Sequence, residues 1–196
     1  MRKTSVLYDP RALDAARRRA GAAAAELARY PDLLAEQAEL LNLVQGSGPR
    51  AHEHLGRLLQ LLDRVGAIVA PFVVCGPRCA ACCTMPTLIS GVEAQILSER
   101  SGRPVTRPSA RPRTGAEWRG VACPFLDGDR CSVYDARPFA CRNHHSYAAS
   151  PFWCAAPQCY ELGFPFLRFP ELVKAYDIII ERSPLGRSFD IREFFA

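Results

Sequence analysis

Four cysteines fall within nine residues, Cys75, Cys79, Cys82 and Cys83. This density constrains the chain more than any other feature. A free cysteine packs as a small hydrophobe, and cores do not crowd such residues together. On a helix the four positions would share an arc of about 100°. Gly76-Pro77 opposes helix at Cys75, whereas Pro77 suits a first helical residue. The segment therefore predicts Cys75 in a turn and the other three on the opening turns of a helix. There the positive end of the helix dipole would favour thiolates. Side chains of adjacent residues diverge, so Cys82 and Cys83 rarely serve one tetrahedral ion. The pair predicts two metal sites or one polynuclear site.

The chain has 9 cysteines, and the later five are Cys123, Cys131, Cys141, Cys154 and Cys159. A disulfide framework needs an oxidising compartment. The first residues, MRKTSVLYDPRALD, carry cations but no apolar stretch of a secretory signal, and no run approaches the roughly 18 apolar residues of a membrane helix. The expectation is a cytoplasmic protein whose reduced thiols hold metal, with no membrane partner. Tetrahedral sites take four ligands each, so eight thiolates would serve two. The spacings around Cys131 exceed those of zinc knuckles, so the two groups must meet by folding. His144 and His145 follow Cys141 and are further candidate ligands. His52 and His54 sit on a polar helical stretch and read as non-ligands.

With 196 residues and 48% hydrophobic content, the chain can bury a real core. Asp9-Pro10 opens an Ala/Arg-rich helix to about Tyr30, and Pro31 starts a second carrying Leu34, Ala38, Leu41 and Val44 at helical spacing. A third runs from about Arg50 to Ala70 with Leu55, Leu58, Leu59, Leu62, Val65 and Val69 on one face. Ser90-Gly-Val-Glu93 is a capping box that opens a helix to about Arg100. Residues 101–119 read as an exposed Arg/Pro loop, Asp127-Gly-Asp129 as a turn between short strands, and 170–181 as a helix before an apolar tail. The fold class expected is mainly α with a small irregular or β metal-binding portion, the N-terminal helices packing on the cysteine-cluster domain. The expected division is 1–70 helical, 71–165 metal-binding, and 166–196 a helix and tail packed on the same domain.

The assembled residues resemble the YkgJ-type cysteine cluster proteins, a zinc- or iron-chelating family named for a CxxCxxCC pattern. The resemblance rests on Cys75-x3-Cys79-x2-Cys82-Cys83, on Ser90-Gly-Val-Glu93-Ala94, and most strongly on Cys123-Pro-Phe-Leu126, Asp127-Gly-Asp-Arg-Cys131-Ser-Val-Tyr134, Arg137-Pro138 and Cys141-Arg142. Cys159, before Glu161-Leu-Gly163, stands at the family's late cysteine. This likeness implies a ligand set of Cys75, Cys79, Cys82, Cys83, Cys123, Cys131, Cys141 and Cys159. Cys154 has no counterpart in the pattern and is the expected spare. The chain departs in its longer first gap and in Asn143-His144-His145 after Cys141-Arg142. Relatives include flagellin lysine N-methylases, which implies a protein-modifying activity, although the chain has no glycine-rich methyl-donor motif.

Three functions follow as expectations. The first is a metal-binding protein with a zinc or iron centre, iron–sulfur or polynuclear, for which cysteine-only ligation suits either metal. The second is a metal-dependent enzyme acting on a peptide or protein, with His144, His145, Tyr147 or Glu161 beside an open coordination position and the N-terminal helices as a partner surface. The third is a zinc-stabilised nucleic-acid binder using Arg103, Arg107, Arg111, Arg113 and Arg119 with Trp118 as a stacking group. A formal charge of +5 is too small to favour nucleic acid, and a solvated charged loop is the commoner meaning of such a run.

Overall fold

The computed structural model describes residues 9–48, 50–155, 158–161 and 163–195, with backbone only for 160 and 161. The expectations drawn from the first eight residues and from the Glu161 side chain lie outside the described residues. The architecture is mainly α with short extended pieces, as the sequence pattern predicts. Helix α1 spans Pro10–Leu27. Asp9 caps it, its Oδ1 accepting from the backbone N–H groups of Arg11 (2.9 Å) and Ala12 (3.2 Å), so two otherwise orphaned donors are satisfied. Its buried face is Ala16, Ala20, Ala23 and Leu27, and the small side chains let a neighbouring helix come close.

Helix α2 is Pro31–Gly46 and α3 is Ala51–Val69. The α3 stripe is buried as expected at Leu55, Leu58, Leu62, Val65 and Val69, while Leu59 is only partly buried and Leu61 joins the core. The α2 stripe differs: Leu33, Gln37, Leu40 and Val44 face the core, while Leu34 is exposed. Apolar residues spread around too much of this helix for periodicity to choose a face. Contact with α3 and with the later helix α7, Pro170–Glu181, makes the choice. The four helices enclose one apolar cluster that also takes in Phe139, Tyr147, Ala148, Phe164 and Phe169.

After α3 come β1 (Leu88–Ile89) and α4 (Gly91–Ser101), then the hairpin of β2 (Leu126–Asp127) and β3 (Arg130–Cys131). Helix α5 is Phe139–Asn143, α6 is Gln158–Glu161, β4 is Phe189–Asp190 and α8 is Ile191–Phe194. The hairpin pairs Leu126 with Cys131 and Asp127 with Arg130. Its tip residue Gly128 has φ +57°, a left-handed conformation that glycine adopts without a Cβ penalty. Strand β1 pairs antiparallel with β4, Ile89 opposite Phe189, which brings the chain's tail beside the segment that leaves the cysteine motif. A second, smaller apolar cluster forms there from Ile89, Ala94, Leu97, Phe125, Val133, Phe189, Ile191, Phe194 and Phe195. Among the described residues no helix is long and apolar enough to cross a membrane.

Candidate metal centre

The cysteine motif does not form the predicted α-helix. Residues 76–79 make a turn closed by Cys79 N–H donating to Gly76 O (3.0 Å), and Ala81–Thr84 make one short 3-10 turn closed by Met85 N–H to Cys82 O (3.0 Å). Pro86 follows at once, which bars the residues before it from continuing as helix. Tight turns present successive side chains on several sides, so the segment folds round a point rather than along an axis.

Two backbone bonds join this motif to the second group of cysteines. Cys123 N–H donates to Cys83 O (2.7 Å), and Gly120 N–H to Thr84 O (2.9 Å). Cys131 is the last hairpin residue, opposite Leu126. Cys141 lies on α5, whose first turn is fixed by Glu93. That carboxylate is 1% exposed and accepts four hydrogen bonds: Ser90 N–H (2.7 Å), Ser90 Oγ–H (2.8 Å), Phe139 N–H (2.7 Å) and Tyr176 O–H (2.6 Å). The capping box thus does more than start α4, because it also holds α5 and α7 to it. On the other side Arg192, 4% exposed, pairs with Asp190 (2.8 Å) and donates to the carbonyls of Cys83, Met85, Val121 and Ala122. One guanidinium therefore gathers the exit of the first cysteine segment and the entry of the second.

The result is a single cavity of about 70 Å³ lined by Cys75, Cys79, Cys82, Cys83, Cys123, Cys131, Cys141 and His144, with Phe125, Val133 and Ile191 of the smaller core as its apolar wall. Seven thiols from four separate stretches of chain share it. The thiols stand round the cavity without forming, among the described residues, a ready group of three donors that could hold one ion. Among the described residues no cysteine is joined in a disulfide.

Burial governs the protonation of these groups. It pushes up the thiols of Cys75, Cys123, Cys131 and Cys141. Cys82 is raised first by its hydrogen bond to Cys83 and then by burial. The expected dipole effect is absent because a four-residue 3-10 turn has almost no macrodipole, whereas desolvation penalises a thiolate strongly. Arg137 offsets part of this at Cys75, Cys82, Cys131 and Cys141. Its guanidinium lies 3.7 Å from the Tyr134 ring centroid, and its Nε donates to Tyr134 O (3.0 Å). Burial also lowers His144, and lowers His145 to about 4, so both imidazoles are neutral at neutral pH with a lone pair free to ligate.

A second cavity, about 290 Å³, shares Cys75, Cys141, Arg137, Tyr134 and His144 with the first and reaches His145 and Asp63. Tyr147 is fully buried, its hydroxyl without a partner among the described residues. Cys154 lies in a 3-10 turn (Pro151–Cys154) packed against the turn at Ala81–Thr84. It bonds to the Ser146 hydroxyl and is close enough to Cys75, Cys79 and Cys82 to feel their charge, while burial raises it to about 11. Cys159 is on α6. Among the described residues neither Cys154 nor Cys159 lines the thiol cavity. His54, read as part of a polar stretch, is buried in α3 beside Ser47, because α3 turns that face to the core. Sequence reasoning missed the organising roles of Glu93, Arg137 and Arg192. The capping box was visible for Glu93 and the Arg137-Pro138 pair marked Arg137 without its role, but nothing local announced Arg192.

Compared with known proteins, residues 74–160 match the CxxCxxCC family model, described as a putative zinc- or iron-chelating domain. No curated protein matches the chain, and no solved structure does.

Proposed function

We propose that the chain holds a zinc or iron centre through its clustered thiolates, with iron–sulfur or polynuclear iron the favoured form, and the match of residues 74–160 to the CxxCxxCC family model supports this reading. The observation that carries this reading is the single cavity walled by seven cysteines. The donor chemistry fits both metals: thiolates are soft and anionic, and a neutral His144 adds a borderline nitrogen. Cys82 and Cys83 both face the cavity, a neighbouring pair better used by two metal ions than by one. When bound, the metal would draw the thiols into thiolates and replace the burial penalty with coordination. The protein's part is to hold the two segments together through the Cys123–Cys83 backbone bond and to supply positive charge from Arg137.

Seven ligands are proposed from the cavity itself. The family pattern supplies Cys159 as the eighth, and proximity to Cys75, Cys79 and Cys82 supports Cys154 as its rival. Elemental analysis of anaerobically purified protein tests the centre. Iron with absorbance at about 400 nm supports the iron–sulfur form, stoichiometric zinc without colour replaces it with zinc, and metal-free folded protein overturns the reading. Serine substitution at each cysteine then separates Cys154 from Cys159 by metal content.

A second reading has one specific observation behind it. The 290 Å³ cavity shares Cys75, Cys141 and His144 with the thiol cavity, which supports an enzyme whose metal keeps a position open towards a peptide substrate. His144 and His145 would then be the proton-handling groups. A metal fully saturated by cysteine, seen by X-ray absorption, removes this reading.

A further inference from the structure

Residues 103–113 run without helix or strand along the tail of the chain, apart from the thiol cavity, and they build a second site. The run is pinned at three points: Thr106 N–H donates to Phe194 O (2.8 Å), Thr106 Oγ–H to Glu193 O (3.0 Å), and Arg113 N–H to the Glu193 carboxylate (2.9 Å). Between run and tail lies a groove of about 800 Å³ lined by Arg103, Arg107, Arg111, Arg113, Arg192 and Trp118, with Glu193 its one carboxylate. Arg192 is neutralised by Asp190, and Arg103 is committed to the Pro124 carbonyl and the Phe125 ring. The guanidinium groups of Arg107 and Arg111 have no partner among the described residues. An excess of unpaired cations in one groove gives it a positive potential that favours an anion.

Trp118 supplies an independent observation. It is 8% exposed, yet its Nε1–H is buried with no acceptor in the described chain. The Arg113 guanidinium stands 4.8 Å from the Trp118 ring centroid and that of Arg192 5.8 Å from it. This leaves the ring poorly placed to stack a base, which disfavours single-stranded nucleic acid. A lone carboxylate carries one charge and two acceptor oxygens, too few for three guanidiniums. Linked phosphoryl groups carry several charges and many acceptors, and guanidinium binds them in a bidentate fork.

We propose that this groove binds the oligophosphate group of a small molecule, with the guanidinium groups of Arg107, Arg111 and Arg113 donating to its oxygens. Inorganic tripolyphosphate is the probe, titrated by calorimetry into the intact, metal-loaded protein. The expected result is saturable one-to-one binding that persists at physiological salt. Arg107→Ala with Arg111→Ala should weaken it about a hundredfold, roughly tenfold for each charge-assisted hydrogen-bonding group removed. Both exposed arginines can be removed without disturbing the core, and metal content should be unchanged in that double variant, which keeps this test separate from the metal reading. Equal affinity in the double variant overturns the proposal, as does binding that vanishes between low and physiological salt. An oligonucleotide that binds more tightly than tripolyphosphate and loses affinity in the same variant would assign the groove to nucleic acid instead, and so would also overturn it.

Discussion

The helical part and the cysteine part of this molecule are held by different forces. Helices α1, α2, α3 and α7 bury a continuous set of Leu, Val, Ile and Ala side chains, and their stability comes from apolar area removed from water. Around the cysteines the secondary structure shrinks to two-residue strands and single turns, and the cavity at the centre is walled by thiols. That half relies on a few buried polar anchors, Glu93 and Arg192, and on the smaller apolar cluster. A core built from area tolerates partial loss, whereas a network of anchors fails when one partner goes. It follows that metal ligation here would act as the missing core of the second half.

Removing the metal is the hardest test of that contrast. Chelation of the loaded protein should lower the melting temperature by about 10 °C or more, since ligation can contribute several kcal/mol to folding. Hydrogen exchange should quicken at residues 75–83 and 123–141 while the amides of α2, α3 and α7 stay protected. Uniform loss of protection across both halves would make them one cooperative unit, and an unchanged melting curve would make the metal peripheral.

Arg192→Met should be the next largest effect. It leaves Asp190 buried and unpaired at 4% exposure and releases the four carbonyls of Cys83, Met85, Val121 and Ala122. Breaking such a buried pair costs about 3–5 kcal/mol. Metal content should fall with it, because the carbonyl of Cys83 also receives the Cys123 amide. A denaturant melt of the variant, with metal measured alongside, checks both. Stability lost without metal would show that the tail clamp and the thiol cavity are independent.

Glu93→Gln probes the same anchoring with a smaller perturbation. The amide keeps the shape but turns an N–H₂ towards one of the groups that now donate to the carboxylate, at a cost of about 2 kcal/mol. The damage should concentrate at α5, where Phe139 N–H loses its acceptor and Cys141 its anchorage. Tyr176, whose ionisation is suppressed by burial first and by Glu93 second, should still pack against Phe139, the two rings being stacked 4.1 Å apart. If the variant melts like the parent, Glu93 acts only as a helix cap.

These contrasts also explain what was legible in the sequence. The caps at Asp9 and Ser90, the Pro starts of α1, α2 and α7, the α3 stripe and the Asp127-Gly-Asp129 turn are local signals, and the structure forms each where the sequence placed it. The convergence of the cysteines was inferable from their number and type, although the helix predicted for 79–83 became a 3-10 turn. What lay hidden depends on distant partners: Arg192 reaches Cys83 across more than a hundred residues, and α2 took its buried face from packing on α3 and α7. Single positions carry no mark of such partners, since a guanidinium reads the same whether it will be solvated or will clamp four carbonyls.

The smallest predicted effect lies wholly in the helical half and tests whether its stability is independent of the thiols. His54 is buried in α3, one ring nitrogen 3.2 Å from Ser47 Oγ, and its pKa is lowered, by burial first. The folded protein therefore holds it neutral, whereas the unfolded chain protonates it near pH 6.5. Above that value both states are neutral there, and the residue adds no pH dependence. As pH falls through it the unfolded state binds the extra proton and stability declines, until the lower folded pKa is passed and the loss levels off. His54→Gln should flatten the part of the pH–stability curve that lies below about pH 6.5, measured on the metal-depleted protein so that proton competition at the thiols does not enter. If the slope survives in the variant, the titration belongs to His144 or His145, and the acid sensitivity of this protein lies in the cysteine half after all.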